Sequence, residues 1–350
     1  MRRTKHEKRH LILGLALSAS MLVSSLTGAV SVLADSTAEA AAYEGPEYSL
    51  QLGHIGAEGS IEDTVANRFT ELVSEKSGGK IDVTIYGNSQ MGGLNDLVDA
   101  LRYNTLDMAI FAMGNAESYF PKSTVIALPY LFSGYDHVEA FYESDAYAAL
   151  RDELAETTNL RELGAFHVGF RVILGNKKIE KAEDLKGITM RVPEAPAFVT
   201  TFGALGCNTI ALPASEVYQA LQTGLIEATE AAPTYMLSMN YQEVSKYCSV
   251  TNHIYTGNGL YISQSKLDSL DPAAAEVVKE AAEQASKEAW AIVADETDAA
   301  MKAFEDSGVE VIDVDLESFT SVMTDVWTAL KVDDIEGGRE LLETIQGMKP

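Results

Sequence analysis

The chain has 350 residues, more than a single hydrophobic core usually organises, so one large or two medium domains are expected. Its hydrophobic fraction of 46% and charged fraction of 22% exclude a disordered chain. A formal net charge of −26 argues against nucleic acid and anionic lipid surfaces as partners, since like charges repel.

The N-terminus reads as an export signal. Arg2, Arg3, Lys5, Lys8 and Arg9 precede an uncharged, largely apolar stretch over 11–34. Cleavage is expected after Ala34 or within the alanine run at 40–42. A retained membrane anchor is the rival reading, opposed by Ser18, Ser20, Ser24, Ser25, Thr27 and Gly28, which dilute the apolar run. With no cysteine nearby, a lipid-anchored N-terminus is not expected. Residues 1–34 carry five basic groups and one acid, so the remaining chain carries −30. Residues 35–46, rich in Ala, Ser, Glu and Gly, read as a linker.

Strands and helices then alternate. Residues 48–52 predict a strand with Leu50 and Leu52 on one face, and 63–77 a helix stopped by Gly78-Gly79. Ile81, Val83 and Ile85 alternate with polar residues as a strand; 92–103 is helical and 108–111 a short apolar strand. The rhythm implies parallel sheets flanked by helices. In the second half, 167–174, 188–192 and 225–228 predict strands, and 213–223 a helix closed by Gly224. From Pro272 to Asp306 there is no glycine and no internal proline, and apolar residues keep one helical face, predicting one long uninterrupted helix. Residues 309–314 return as a strand.

No catalytic constellation stands out. Gly79-Lys80 lacks the glycine spacing and hydroxyl of a phosphate loop, and Gly87-Asn88-Ser89-Gln90-Met91 fails the nucleophile-elbow pattern at its last position. His54, His137, His167 and His253 are scattered without metal-ligand spacing, so neither metal nor cofactor is expected. Cys207 and Cys248 read as two buried free thiols, with a disulfide as the alternative. Two arginines are conspicuous. Arg171 interrupts the apolar run 168–174, and Arg191 shares a strand face with Thr189. A guanidinium on a sheet is costly to bury unless a carboxylate meets it, and its planar fork suits a bidentate one. That carboxylate is either a ligand's or an internal acid's.

At these residues the chain resembles a known family, the extracytoplasmic solute receptors of tripartite ATP-independent periplasmic (TRAP) transporters, of the dicarboxylate-receptor type. The resemblance runs from about Tyr48 to Pro350. It rests on Ser74-Glu-Lys-Ser-Gly-Gly-Lys-Ile81, Thr105-Leu-Asp-Met108, Ala127-Leu-Pro-Tyr-Leu-Phe132 and Asp184-Leu-Lys-Gly-Ile-Thr-Met-Arg-Val-Pro193. Ser215-Glu-Val-Tyr-Gln-Ala-Leu-Gln-Thr-Gly224, Glu243-Val-Ser-Lys-Tyr247 and Thr251-Asn-His253 follow in order.

The resemblance implies a two-lobed α/β binding protein with strands exchanged between lobes and one long helix spanning both. Lobe I would comprise 47–168 plus 258–297, and lobe II 169–257 plus 298–350. It implies an exported, non-enzymatic, monomeric receptor that captures an organic acid and hands it to membrane permease subunits. Arg191 fits the position that bridges the ligand carboxylate, and Arg171 the second arginine. Ala231 stands where many relatives place a carboxylate-contacting asparagine, with Thr234 or Tyr235 as substitutes. That change, and polar residues expected near the cleft (His54, Glu58 and Asn115), favour sugar acids such as uronates slightly over C4-dicarboxylates and sialic acids. A secreted hydrolase or lyase acting on a small acidic substrate is the alternative from another class.

Overall fold

The computed structural model describes residues 43–350. The expected signal, its cleavage points and most of the linker lie outside the described residues. The described residues form one compact unit, built as two α/β halves on two sheets.

The first half opens with strands β1 (Tyr48–Gly53), β2 (Ile81–Tyr86), β3 (Met108–Ala112) and β4 (Leu160–Phe170). The chain then enters the second sheet through β5 (Val172–Gly175), β6 (Thr189–Val192), β7 (Asn208–Ala211), β8 (Ala228–Ala231) and β9 (Tyr247–Val250). Strand β10 (Tyr255–Ser263) returns to the first sheet, and β11 (Glu310–Asp313) goes back to the second. The five-stranded sheet has the order β2-β1-β3-β10-β4, and the six-stranded sheet β11-β9-β5-β8-β6-β7. Both are mixed, so the expectation of parallel sheets holds only in part. β10 runs antiparallel to β3 and β4, and β5 antiparallel to β8 and β9. These are the strands flanking the crossovers, where the chain passes from one sheet to the other and back.

The crossovers pair with each other. Arg171 is the single residue between β4 and β5, so the strand expected over 167–174 is divided at the arginine. Its amide donates to the Ile254 carbonyl at 2.8 Å, and the His253 amide donates back to the Arg171 carbonyl at 3.2 Å.

Local sequence explains the element ends. The helix Ile61–Ser77 starts where the Ser60 side chain accepts from the Asp63 amide, and stops at Gly78, whose φ of 61° a side chain would resist. The strand expected at 225–228 lies three residues later, at Ala228–Ala231. Helices cover both faces of the first sheet. On one side Ile61–Ser77 and Pro272–Trp290 bury Phe69, Leu72, Val278 and Ala282 against Leu50, Leu52 and Leu260.

Two expectations need correction. The helix expected to run unbroken from Pro272 to Asp306 divides into Pro272–Trp290 and Val293–Asp306. At the joint the Ile292 amide bonds to the Ala289 carbonyl, three residues back rather than four. The cause is packing. Trp290 is tied to the Ala165 carbonyl of β4 and lies against His167, while Phe304 is buried in a core of the second half with Val172 and Cys248. One tightened turn lets each segment follow its own half. The second correction concerns the C-terminus, which sequence reasoning placed wholly in the second lobe. Val332, Leu341, Leu342 and Ile345 pack into a core of the first half with Phe132 and Phe141, and His137 Nε2 lies 2.7 Å from the Ile345 carbonyl. Cys207 and Cys248 are free and buried, and burial pushes each thiol up to about 12.

Candidate functional site

A cavity of about 940 Å³, its open mouth included, separates the two halves. The first half contributes Ile55, Glu62, Asn115 and Asn258; the second contributes Arg171, Arg191, Phe198, Ala231 and Tyr235. Its size suits a small ligand, and its apolar walls carry few polar groups.

Arg191 stands on β6, opposite Thr229 of β8 and Ile210 of β7. It is only 4% exposed. Its Nε and Nη2 both donate to the Leu212 carbonyl, at 3.0 and 2.6 Å. Among the described residues no carboxylate lies within ion-pair distance of it. Burial lowers the guanidinium from its usual value, against the raising influence of Tyr241, Glu230 and Tyr235; an arginine nevertheless stays charged. The site therefore holds a desolvated cation with only a carbonyl for company. Such a charge is strongly unfavourable unless an anion meets it.

Arg171 is different. Its Nε and Nη2 grip the Glu230 carboxylate, Nη2 to Oε1 at 2.8 Å, and Nη2 also donates to the Glu230 carbonyl at 3.0 Å. Nη1 donates to Thr256 Oγ1 at 3.2 Å, and the guanidinium carbon sits 4.9 Å from the centre of the Phe198 ring. His253 completes the group, with Nε2 3.1 Å from Glu230 Oε2 and Nδ1 2.7 Å from Thr251 Oγ1. Burial pushes the Glu230 carboxyl up, but the charge and hydrogen bonds of Arg171, with those of His253, outweigh it and hold the group below the usual range. Burial lowers His253 despite Glu230. Arg171 thus lines the cavity with its fork already occupied.

Tyr235 lies in the short helix Pro233–Ser238, and its buried hydroxyl finds no protein partner. Thr234 Oγ1 is also unpartnered but does not line the cavity. Ala231 ends β8, buried at the cavity wall. Asn115 sits in the turn Met113–Ala116, its Oδ1 accepting from the Ala112 amide at 3.2 Å.

His54 and Glu58 are not brought to the cavity. His54 is 1% exposed behind it, with Nε2 3.7 Å from Asp63 Oδ1 and neither ring nitrogen hydrogen-bonded. Its ring packs so closely on Gly87 that a Cβ there would lie 2.8 Å away. Burial lowers its pKa, which keeps the ring neutral. Glu58 lies exposed in the turn before the first helix.

Sequence reasoning missed two acids. Glu230 could have been found, as the one charge within a four-residue strand of small residues. Glu62 could not. In sequence it is one of two acids in the first turn of a helix, the ordinary place for them; in the structure it is 3% exposed, with Oε2 unpartnered at the cavity. Among the described residues no cluster of three or more His, Cys, Asp or Glu could hold a metal ion, and no helix is long and apolar enough to cross a membrane.

Residues 52–333 match the family described as bacterial extracellular solute-binding protein, family 7. The sialic acid-binding periplasmic protein SiaP of Vibrio cholerae is 27% identical over 82% of this chain and 89% of its own. The 2,3-diketo-L-gulonate-binding periplasmic protein YiaO of Escherichia coli is 26% identical over 85% of this chain and 91% of its own. A TRAP periplasmic solute binding protein of a Sulfitobacter species, crystallised with bound β-D-galacturonate, superimposes with a TM-score of 0.82 at 27% identity, covering 85% of this chain and 99% of that one.

Proposed function

The chain belongs to the bacterial extracellular solute-binding proteins of family 7, and from that premise we propose that Arg191 is the group by which it captures its ligand. The protein is a TRAP-type receptor rather than an enzyme. It works outside the cytoplasm, binds a small organic acid and delivers it to membrane permease subunits. A sugar acid such as a uronate is favoured over a C4-dicarboxylate or a sialic acid. The galacturonate-bound relative and the diketogulonate-binding one support that ranking.

One observation carries the assignment. Arg191 is buried in the cavity without a carboxylate partner, while Arg171, the other arginine lining it, is already paired. The ligand carboxylate would supply the missing charge. Tyr235, whose hydroxyl is unpartnered, would add a donor where Ala231 offers none. Arg171 would act from behind, lending positive potential while Glu230 fixes its direction. Asn115 would contribute from the opposite wall. The two sheet-centred halves would close by bending at the paired crossovers, Arg171 and 251–254, and at the helix joint 291–292.

Calorimetric titration with D-galacturonate, D-glucuronate, succinate, N-acetylneuraminate and neutral galactose tests the reading. Binding of at least one of the acids, with a uronate tightest, is expected. Binding of the neutral sugar alone, or turnover of a bound acid during long incubation, would overturn it.

A further inference from the structure

Glu62 sits oddly in a cavity built for an anion. It projects from the first turn of the helix Ile61–Ser77, on the wall facing Arg191 and Tyr235, and is 3% exposed. Oε1 accepts a hydrogen bond from Asn258 Nδ2 at 2.9 Å. Oε2 is buried with no hydrogen-bond partner. No arginine or lysine is within ion-pair distance among the described residues. The neighbouring backbone leaves room for this oxygen, since a Cβ on Gly56 would stand 2.9 Å from Oε2 and 2.2 Å from Ser60 Oγ. Burial pushes the carboxyl up; Asn258 counters it, as do its own amide and the Ser60 hydroxyl, which lie near but outside hydrogen-bond geometry with Oε2.

A buried oxygen lacking a donor is unfavourable, and a ligand that supplies one is rewarded. A hydroxyl can donate to it. A second carboxylate can only accept, so it would have to bury a further negative charge against this carboxyl, in a cavity where Arg191 is, among the described residues, the one cation left without a carboxylate, and the site selects against it. From the arrangement of Arg191 on one wall and Glu62 on the other, we infer that Glu62 is the specificity-determining residue of the cavity. It accepts a hydrogen bond from a hydroxyl of a polyhydroxylated monocarboxylate and excludes the corresponding dicarboxylate. This rests on the reading of the cavity as an organic-acid site and specifies its substrate class.

The test uses open-chain pairs that differ only at the far end of the ligand, a hydroxymethyl group against a carboxylate: D-galactonate against galactarate, and D-gluconate against D-glucarate. Each is titrated into the wild type and Glu62→Gln, an isosteric change that keeps the Asn258 partner and can no longer ionise. The wild type should bind the monoacid at least 10-fold more tightly than its diacid. In Glu62→Gln that ratio should fall by at least 10-fold, chiefly because the diacid gains. A merely structural role would weaken both acids together and leave the ratio unmoved, and that result overturns the inference. So does wild-type binding of the diacid as tight as its monoacid, which needs no variant to observe. Binding confined to succinate also overturns it while leaving the organic-acid reading intact. Failure of every acid to bind overturns both.

Discussion

Replacing Arg191 by alanine separates a binding arginine from a structural one. Within the protein its side chain makes two bonds to one carbonyl, that of Leu212. Charged hydrogen bonds of this kind contribute about 1.5–3 kcal/mol, but holding a cation out of water costs several kcal/mol, so the two nearly offset. Arg191→Ala should therefore change the stability of the protein without ligand by about 1 kcal/mol or less, a shift of roughly 1–2 °C in melting temperature for a chain of this size. With ligand the balance differs. A buried guanidinium–carboxylate pair that loses one member forfeits about 2–5 kcal/mol, or roughly 30-fold to several-thousand-fold in affinity. Arg191→Lys keeps the charge without the fork and should recover only part of the loss. Calorimetry with the preferred uronate measures the affinity and a thermal melt of the empty protein the stability. Near-normal binding by Arg191→Ala, or its outright unfolding, would refute the reasoning.

Glu230→Gln should behave in the opposite way, losing about 3–5 kcal/mol of stability because Arg171 is left buried without its counter-charge; a melting temperature close to wild type would contradict the pairing. His167, pulled down to about 4 by burial, stays neutral in the folded state while the unfolded chain begins to bind its proton below about pH 6.5. Its contribution is thus present above that pH and lost as pH falls, up to about 3 kcal/mol by pH 4. Denaturant melts from pH 7 to 4 should show a shallower slope for His167→Gln than for the wild type, and an equal slope would remove His167 as the cause. Small-angle scattering should give a smaller radius of gyration with bound uronate than without, as bending at the crossovers requires; an unchanged radius would count against closure.

Much of the fold was legible because local rules agree with it. Ser60 and Gly78 bracket the first helix as a cap and a stop should, and Ile81, Val83 and Ile85 alternate as a half-buried strand does. What the residues could not announce was where tertiary packing overrides a continuous local preference. The run from Pro272 to Asp306 has every feature of one helix, yet Trp290, committed to β4, and Phe304, committed to the second half, pull it into two. Likewise 167–174 is a continuous strand by pattern and becomes two by topology, since no periodicity records that a chain is leaving one sheet for another. His54 and Glu58 were expected near the cleft as available polar residues. The turn that follows β1 instead folds His54 inward against Gly87 and leaves Glu58 in solvent.

The two arginines show most clearly what sequence can and cannot supply. Each interrupts or edges an apolar strand, and each satisfies the same argument that a sheet-borne guanidinium needs a carboxylate. For Arg171 the structure supplies that carboxylate, and for Arg191 the proposed ligand would. Arg171 stands at the crossover, where the antiparallel return of β8 brings Glu230 alongside at the residue before Ala231. Its carboxylate comes from the chain. Arg191 is on β6, which meets β8 in parallel at Thr229, so the acid one residue further along is not offered to it. That difference of strand direction and one residue of register leaves one cation satisfied and the other waiting. It follows that moving the acid should move the function. Thr229→Glu would place a carboxylate beside Arg191 at its paired position, and the affinity for the preferred uronate should drop by at least the 30-fold expected of Arg191→Ala. Calorimetry decides it, and undiminished binding by a folded Thr229→Glu protein would mean that the charge of Arg191 is not what holds the ligand.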